Sequence, residues 1–139
     1  MNTASRCNRM VIDTSAMIAI LLNEPAAERL IAALEADHTR LVSAATVVET
    51  ALVMLGRYGE AGDPPLDRLL RGIGAGVVPV DDDQVVLARD AAVRFGRGRH
   101  AAALNFGDCF SYALAVARGE PLLFVGDDLA KTDVEVCTW

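Results

Sequence analysis

Apolar and polar positions change period several times along the chain, and each change marks an element. Met10-Val11-Ile12 is an uninterrupted apolar run that stops at Asp13-Thr14-Ser15, as a strand buried on both faces does. Ala16 to Leu22 then reads as a short helix with Thr14 or Ser15 near its N-cap, broken by Asn23-Glu24-Pro25. Pro25 suits the first turn of a second helix, Ala26 to about Ala36, with Leu30, Ile31 and Leu34 on one face. Leu41-Val42-Ser43 is a second strand. From Ala45 to about Tyr58, Val47, Val48, Ala51, Leu52 and Leu55 recur at helical spacing. Gly56, Gly59 and Gly62-Asp63-Pro64-Pro65 read as a loop, and Leu66, Leu69, Leu70 and Ile73 as another helix.

Val77 to Val80 is a third strand, pushed toward an edge or its end by Pro79. Asp81-Asp82-Asp83 suits the N-terminus of a helix running to about Phe95, where acids favour the macrodipole. Gly96-Arg97-Gly98-Arg99-His100 is a basic loop. Asn105-Phe106-Gly107-Asp108 opens a helix through Ala117, Leu122 to Val125 is a fourth strand, and Val134-Glu135-Val136 reads as a last short one. Alternating strands and helices predict an α/β fold, a mostly parallel sheet of four or five strands covered by helices on both faces.

Length and composition narrow the class. A chain of 139 residues, 53% hydrophobic, reads as one domain with a real core. Its mean hydropathy of +0.30 is high, but no apolar run reaches the roughly 20 residues of a membrane span. Residues 1–9 are polar and lack a signal peptide's apolar segment. They read as an N-terminal extension, with Met10 as an alternative start, residues 10–139 as the domain and the cytoplasm as its location. Cys7, Cys109 and Cys137 are scattered, with no CxxC, and read as reduced thiols. The net charge of −6 argues against a protein that coats nucleic acid through a basic surface. Clustered acids holding a divalent ion reverse that sign locally.

In a parallel α/β sheet, ligands bind beyond the carboxyl ends of the strands. Asp13 follows the first strand, Asp81 to Asp83 the third, and Asp127 and Asp128 the fourth; Glu49 and Asp108 lie in early turns of helices. Crowded carboxylates repel one another, and Mg²⁺ or Mn²⁺, which prefer oxygen ligands, relieve that cost. Thr14 or Ser15 could add an oxygen. Capping is the plainer account of Asp81 to Asp83, and it is an ordinary one for Asp13 and Asp108. Glu49 lies between Val47-Val48 and Ala51-Leu52, where a carboxylate needs a partner. Arg94, Arg97, Arg99 and His100 form the one basic cluster, suited to an RNA backbone or to solvent. Tyr112 and Phe110 read as core.

With these residues assembled, the chain resembles the PIN-domain ribonucleases, specifically the VapC toxins of bacterial type II toxin–antitoxin modules. Four segments carry the resemblance, in the family's order: Met10–Ala16, Ala45–Ala51 around Glu49, Leu104–Ala115 around Asp108, and Leu122–Leu129 leading to Thr132-Asp133. It implies a PIN-like α/β/α sandwich and a Mg²⁺- or Mn²⁺-dependent endoribonuclease that cuts structured RNA, often tRNA, leaving 5′-phosphate and 3′-hydroxyl ends. Asp13, Glu49 and Asp108 match the family's best-shared acids and are expected to be catalytic and metal-ligating. The fourth acid falls on the Asp127-Asp128 pair. Asp128 is favoured because it precedes Leu129, which stands where the family usually has phenylalanine; Asp127 remains a candidate ligand. Ser15 matches the polar position beside the first acid, and Ser15, Arg97, Arg99 and His100 are expected at the substrate. The family further implies homodimers, assembled with a VapB antitoxin whose tail covers the acidic site as a heterotetramer or larger.

Rival classes fit less well. A haloacid-dehalogenase-type phosphatase needs a second acid at position 15 and a lysine before its late Gly-Asp; here position 15 is Ser15 and no lysine precedes Lys131. A phosphoacceptor receiver domain needs paired acids after the first strand. A non-catalytic PIN-like module that binds RNA or protein is opposed by the intact set of acids.

Overall fold

A computed structural model describes residues 9–36 and 39–139. In chain order its elements are β1 (Arg9–Ile12), α1 (Thr14–Leu21), α2 (Ala27–Glu35), β2 (Thr39–Ser43), α3 (Ala44–Tyr58), α4 (Asp63–Gly72), β3 (Gly76–Val78), α5 (Asp82–Phe95), α6 (Phe106–Arg118) and β4 (Leu122–Leu123). The apolar run at Met10 to Ile12 is central for a physical reason: parallel strands covered on both faces have no polar side to offer. The sheet order is β3-β2-β1-β4, and every pairing is parallel. Val11 aligns with Leu41 of β2 on one side and Leu122 of β4 on the other.

Alternation along β1 divides the core. Val11 faces a cluster with Ala91, Phe95, Tyr112 and Leu114 from α5 and α6. Met10 and Ile12 face the other way, toward Met17, Leu30, Leu34 and Leu66 from α1, α2 and α4. Successive strand residues point to opposite faces, so three residues serve two helical layers. The chain runs outward from β1 to β2 to β3, then returns to place β4 on β1's free side. That reversal makes a topological switch point between β1 and β4, where a crevice opens at the strand ends.

Several boundaries differ from expectation. β1 begins at Arg9, one residue before the predicted domain start, and Arg9 reaches Glu120 at 3.5 Å. Residues 1–8, the rest of the expected extension, lie outside the described residues. Asp63-Pro64-Pro65 is not loop but the first turn of α4; proline is tolerated there because the first turn's N–H groups have no helical partner. Gly59–Gly62 is a 3₁₀ turn before it. β4 is only two residues long, and Val136 makes a single parallel bridge to Leu122 rather than a fifth strand. Cys109 is a free buried thiol, whereas Cys137 is disulfide-bonded, which corrects the expectation of three thiols. An odd count without close spacing says nothing about which cysteines a fold brings together.

Arg94 also departs from the expected basic cluster. It pairs with Asp90 at 3.2 Å and Asp133 at 2.9 Å, and Tyr112 donates to Asp133 at 2.5 Å. The Tyr112 bond and the Arg94 guanidinium hold Asp133 below its ordinary range, while burial pushes Tyr112 up to about 12. This clamp ties the chain after β4 to α5 and α6. Among the described residues no helix is long and apolar enough to cross a membrane.

Candidate active site

The switch point gathers acids. A cleft of about 310 Å³ is lined by Asp13, Asn105, Asp108, Asp127, Asp128 and Lys131, among others. Asp13 leaves β1 in extended conformation and is itself the N-cap of α1, one of the readings its sequence position allowed. Its carboxylate is 2% exposed and fully engaged. Oδ2 accepts from the Ser15 amide at 3.0 Å and the Ser15 hydroxyl at 2.7 Å, and Oδ1 accepts from the Ser111 hydroxyl at 2.6 Å. A buried carboxylate is tolerable on these terms: hydrogen bonds and the positive end of α1 replace the water it lost.

Behind Ser111 lies Thr46, their hydroxyls 3.2 Å apart and both buried. Sequence reasoning missed this pair. The available signal was spacing: Ser111 stands three residues after Asp108, on the same face of α6. Ser15 was expected at the substrate. It lines the acidic cleft, and its hydroxyl donates to Asp13 and accepts from the Val125 amide at 2.9 Å, so it also stitches the end of β1 to the exit of β4.

Asp108 opens α6 in a reciprocal capping box. The Asn105 amide donates to Asp108 Oδ2 at 3.0 Å, and the Asp108 amide donates to Asn105 Oδ1 at 2.9 Å. The ordinary capping account therefore holds, yet the same carboxylate lines the acidic cleft. Burial pushes its pKa up from 3.8 to about 6, against the Asn105 hydrogen bond and with help from Asp13, Glu49 and Asp128. A carboxylate made reluctant to ionise by burial beside other acids fits a cation site or a proton-handling site.

Glu49 has the partner its apolar surroundings demanded. Thr14 Oγ1 donates to its Oε1, and the carboxylate lies against Gly107 of α6. A Cβ at residue 107 would stand 1.7 Å from Glu49 Oε2, so only glycine leaves room. Asp127 and Asp128 follow Gly126, whose φ of +102° suits glycine alone among ordinary residues. Both are exposed at the cleft rim, and it is Asp128 whose charge bears on Asp108. Leu129, buried beneath them, anchors the turn.

The remaining candidates divide. Asp81 caps α5, accepting from the Gln84 amide at 2.9 Å, and Asp82 and Asp83 lie in its first turn; all three are outside the cleft, as the capping account requires. His100 accepts from the Ala102 amide at 2.9 Å and sets its ring edge against Phe95, which ties it into its own loop. Arg97 and Arg99 are exposed, and neither pairs with a carboxylate among the described residues.

The donor set suits a hard divalent cation: several carboxylates and no competing thiolate or imidazole around one cleft, with Lys131 its one basic lining residue. Asp108's displaced titration is the cost such an ion would remove. As they stand, no three His, Cys, Asp or Glu side chains among the described residues are close enough together to enclose an ion. Asp13 and Glu49 are held by hydroxyls and Asp108 by its capping box.

Residues 10–135 match the family model described as PIN domain. The chain is 54% identical over 125 residues to the protein named Ribonuclease VapC30 of Mycobacterium tuberculosis, covering 90% of this chain and 95% of that one. Among solved structures it resembles Mycobacterium tuberculosis VapC20, described as a sarcin-ricin loop cleaving toxin, with TM-score 0.74 at 18% identity, over 90% and 95% of the two chains. It also resembles VapBC2 from Rickettsia felis, solved with a promoter DNA fragment, with TM-score 0.73 at 11% identity, over 94% and 98%.

Proposed function

Because this chain belongs to the PIN-domain family, among its VapC ribonucleases, we propose that it is the toxin of a type II toxin–antitoxin module and cuts RNA as a Mg²⁺- or Mn²⁺-dependent endoribonuclease. The observation that carries the metal-dependent reading is the convergence of Asp13, Asp108, Asp127 and Asp128 on one cleft at the β1–β4 switch point. Asp13, Glu49 and Asp108, with Asp128 or Asp127, would hold the ion. Bound there, the ion would supply the charge that lowers the pKa of an attacking water and offsets charge on a phosphoryl oxygen.

The chain's own residues supply the rest. Ser15 and Ser111 fix both oxygens of Asp13. The capping box fixes Asp108, and Gly107 and Thr14 fix Glu49. Lys131, which lines the cleft, together with Arg97 and Arg99 from the loop after α5, would meet flanking phosphates, which an otherwise acidic protein must do locally. The substrate is RNA, with tRNA among the candidates, and the protein acts in the cytoplasm. A VapB antitoxin is the partner, and a cationic segment suits the acidic cleft. Val48, Leu52 and Leu55 form an exposed apolar stripe along α3, the kind of face a homodimer covers.

The test is cleavage of an RNA with mapped 5′ ends, in Mg²⁺, in Mn²⁺ and in EDTA. Cleavage in either metal, abolished by chelator and leaving 5′-phosphates, is expected; chelator-resistant cleavage contradicts the assignment. A finer expectation concerns Ser111→Ala. It removes one of the donors to Asp13 and leaves Thr46 without its partner, at a stability cost of about 1–3 kcal/mol. Activity is expected to fall about 10- to 100-fold, as for lost support of a ligand. Ser111→Thr should recover much of it.

A further inference from the structure

A second cleft, of about 580 Å³, lies between α5 and the start of α6 and adjoins the acidic one. The two share Asn105, the residue that caps Asp108. The second cleft differs in chemistry. Its floor is Ala88, Leu104 and Cys109, and its rim carries Arg89, Arg97 and Phe106. Phe106 is 81% exposed, more than any other large hydrophobic residue among those described. It is braced edge-on by Phe110, ring centroids 4.8 Å apart. The fold does not need this ring: it caps no core, and Asn105 and Asp108 complete the helix start without it.

We propose that this cleft is a nucleobase subsite, in which a base next to the scissile phosphate stacks on Phe106 while Arg97 or Arg89 meets the adjoining phosphate. The proposal rests on the nuclease reading above. Three features favour a base as the occupant. The volume lies within the range of small-ligand sites. An exposed aromatic face beside arginines is how proteins hold unpaired RNA bases. Finally, continuity through Asn105 puts the ring beside the carboxylates, within reach of a neighbouring nucleotide. A second copy of the chain is the competing occupant. Its helix would have to cover two unpaired arginines, whereas the stripe on α3 offers an apolar face without that cost.

The test uses the whole protein, EDTA to prevent cutting, and a single-stranded oligoribonucleotide with 2-aminopurine placed in turn on either side of the cleavage site. Stacking quenches its fluorescence. Quenching at one position is expected with the parent and with Phe106→Trp. It should be lost in Phe106→Ala, with affinity about tenfold weaker, the scale of one base–aromatic stack. Phe106→Ala that binds and quenches like the parent overturns the subsite. So does Phe106→Ala that lowers the mass in light scattering while RNA affinity holds, which would assign the cleft to a second copy. A parallel Mg²⁺ cleavage assay separates the two ideas: a parent that cuts RNA with an unaffected Phe106→Ala sinks the subsite alone, and a parent that neither binds nor cuts sinks both.

Discussion

Asp108→Asn is expected to abolish RNA cleavage while leaving the chain at least as stable as the parent at neutral pH. The two halves have separate causes. Loss of a carboxylate from the proposed ion site forfeits charge stabilisation worth several kcal/mol, so the rate should drop by at least about a hundredfold. Asparagine keeps an oxygen where Asp108 Oδ2 accepts from the Asn105 amide, so the capping box survives. Stability follows from the direction of the pKa shift. Folded Asp108 titrates near 6, above its ordinary 3.8, chiefly because it is buried. Between about pH 4 and 6 the folded chain holds a proton that the unfolded chain has released. This group's penalty on folding is therefore absent below that window and complete above it. A neutral side chain removes the penalty. In EDTA, the melting temperature of Asp108→Asn should match or exceed the parent's at pH 7, and the gap should close by pH 4. A variant that melts well below the parent at pH 7 would show that the ionised carboxylate stabilises the fold, against the direction of this shift.

Gly107→Ala is expected to be nearly as damaging to activity, again with little effect on the stability of the fold. The added methyl would fall 1.7 Å from Glu49 Oε2, and the obstructing atoms are the tip of a flexible side chain. Glu49 can rotate away, losing the Thr14 hydrogen bond at a cost of about 0.5–1.5 kcal/mol. Replacing glycine by alanine in the first turn of α6 returns at most about 1 kcal/mol of helix propensity, the value for a helix interior. Net stability should change by less than about 1 kcal/mol in urea denaturation. The carboxylate, however, is displaced from the site, and displacements of this size cost about a hundredfold in rate. Retained activity would remove Glu49 from the catalytic set.

These residues show what the sequence could and could not disclose. The Met10–Ile12 run ending in an acid was enough to place a buried parallel strand and a carboxylate at its edge, and alternation of elements predicted the layers. Glu49 stood out by its apolar context, and Asp108 through the family resemblance. What stayed hidden depends on long-range geometry. Ser111 lies 98 positions from Asp13, and no local pattern reports a hydrogen bond across that separation. Gly107 read as an ordinary residue in a helix start, because its purpose is set by a glutamate on another helix. Arg94 looked like part of a basic loop until Asp133 and Tyr112 claimed it. The first turn of α4 was hidden by its prolines, which signal a break and a helix start with the same letters.

The most direct test of the central claim is RNA cleavage by the purified chain beside Asp13→Asn, each in Mg²⁺ and in EDTA. Asp13 joins β1, α1 and α6 through the hydrogen bonds of Ser15 and Ser111, and asparagine is nearly isosteric. The expected result is cleavage by the parent in Mg²⁺ alone, leaving 5′-phosphate ends, and none by a folded Asp13→Asn under either condition. Full-rate cleavage by folded Asp13→Asn, or by the parent in EDTA, would contradict the account.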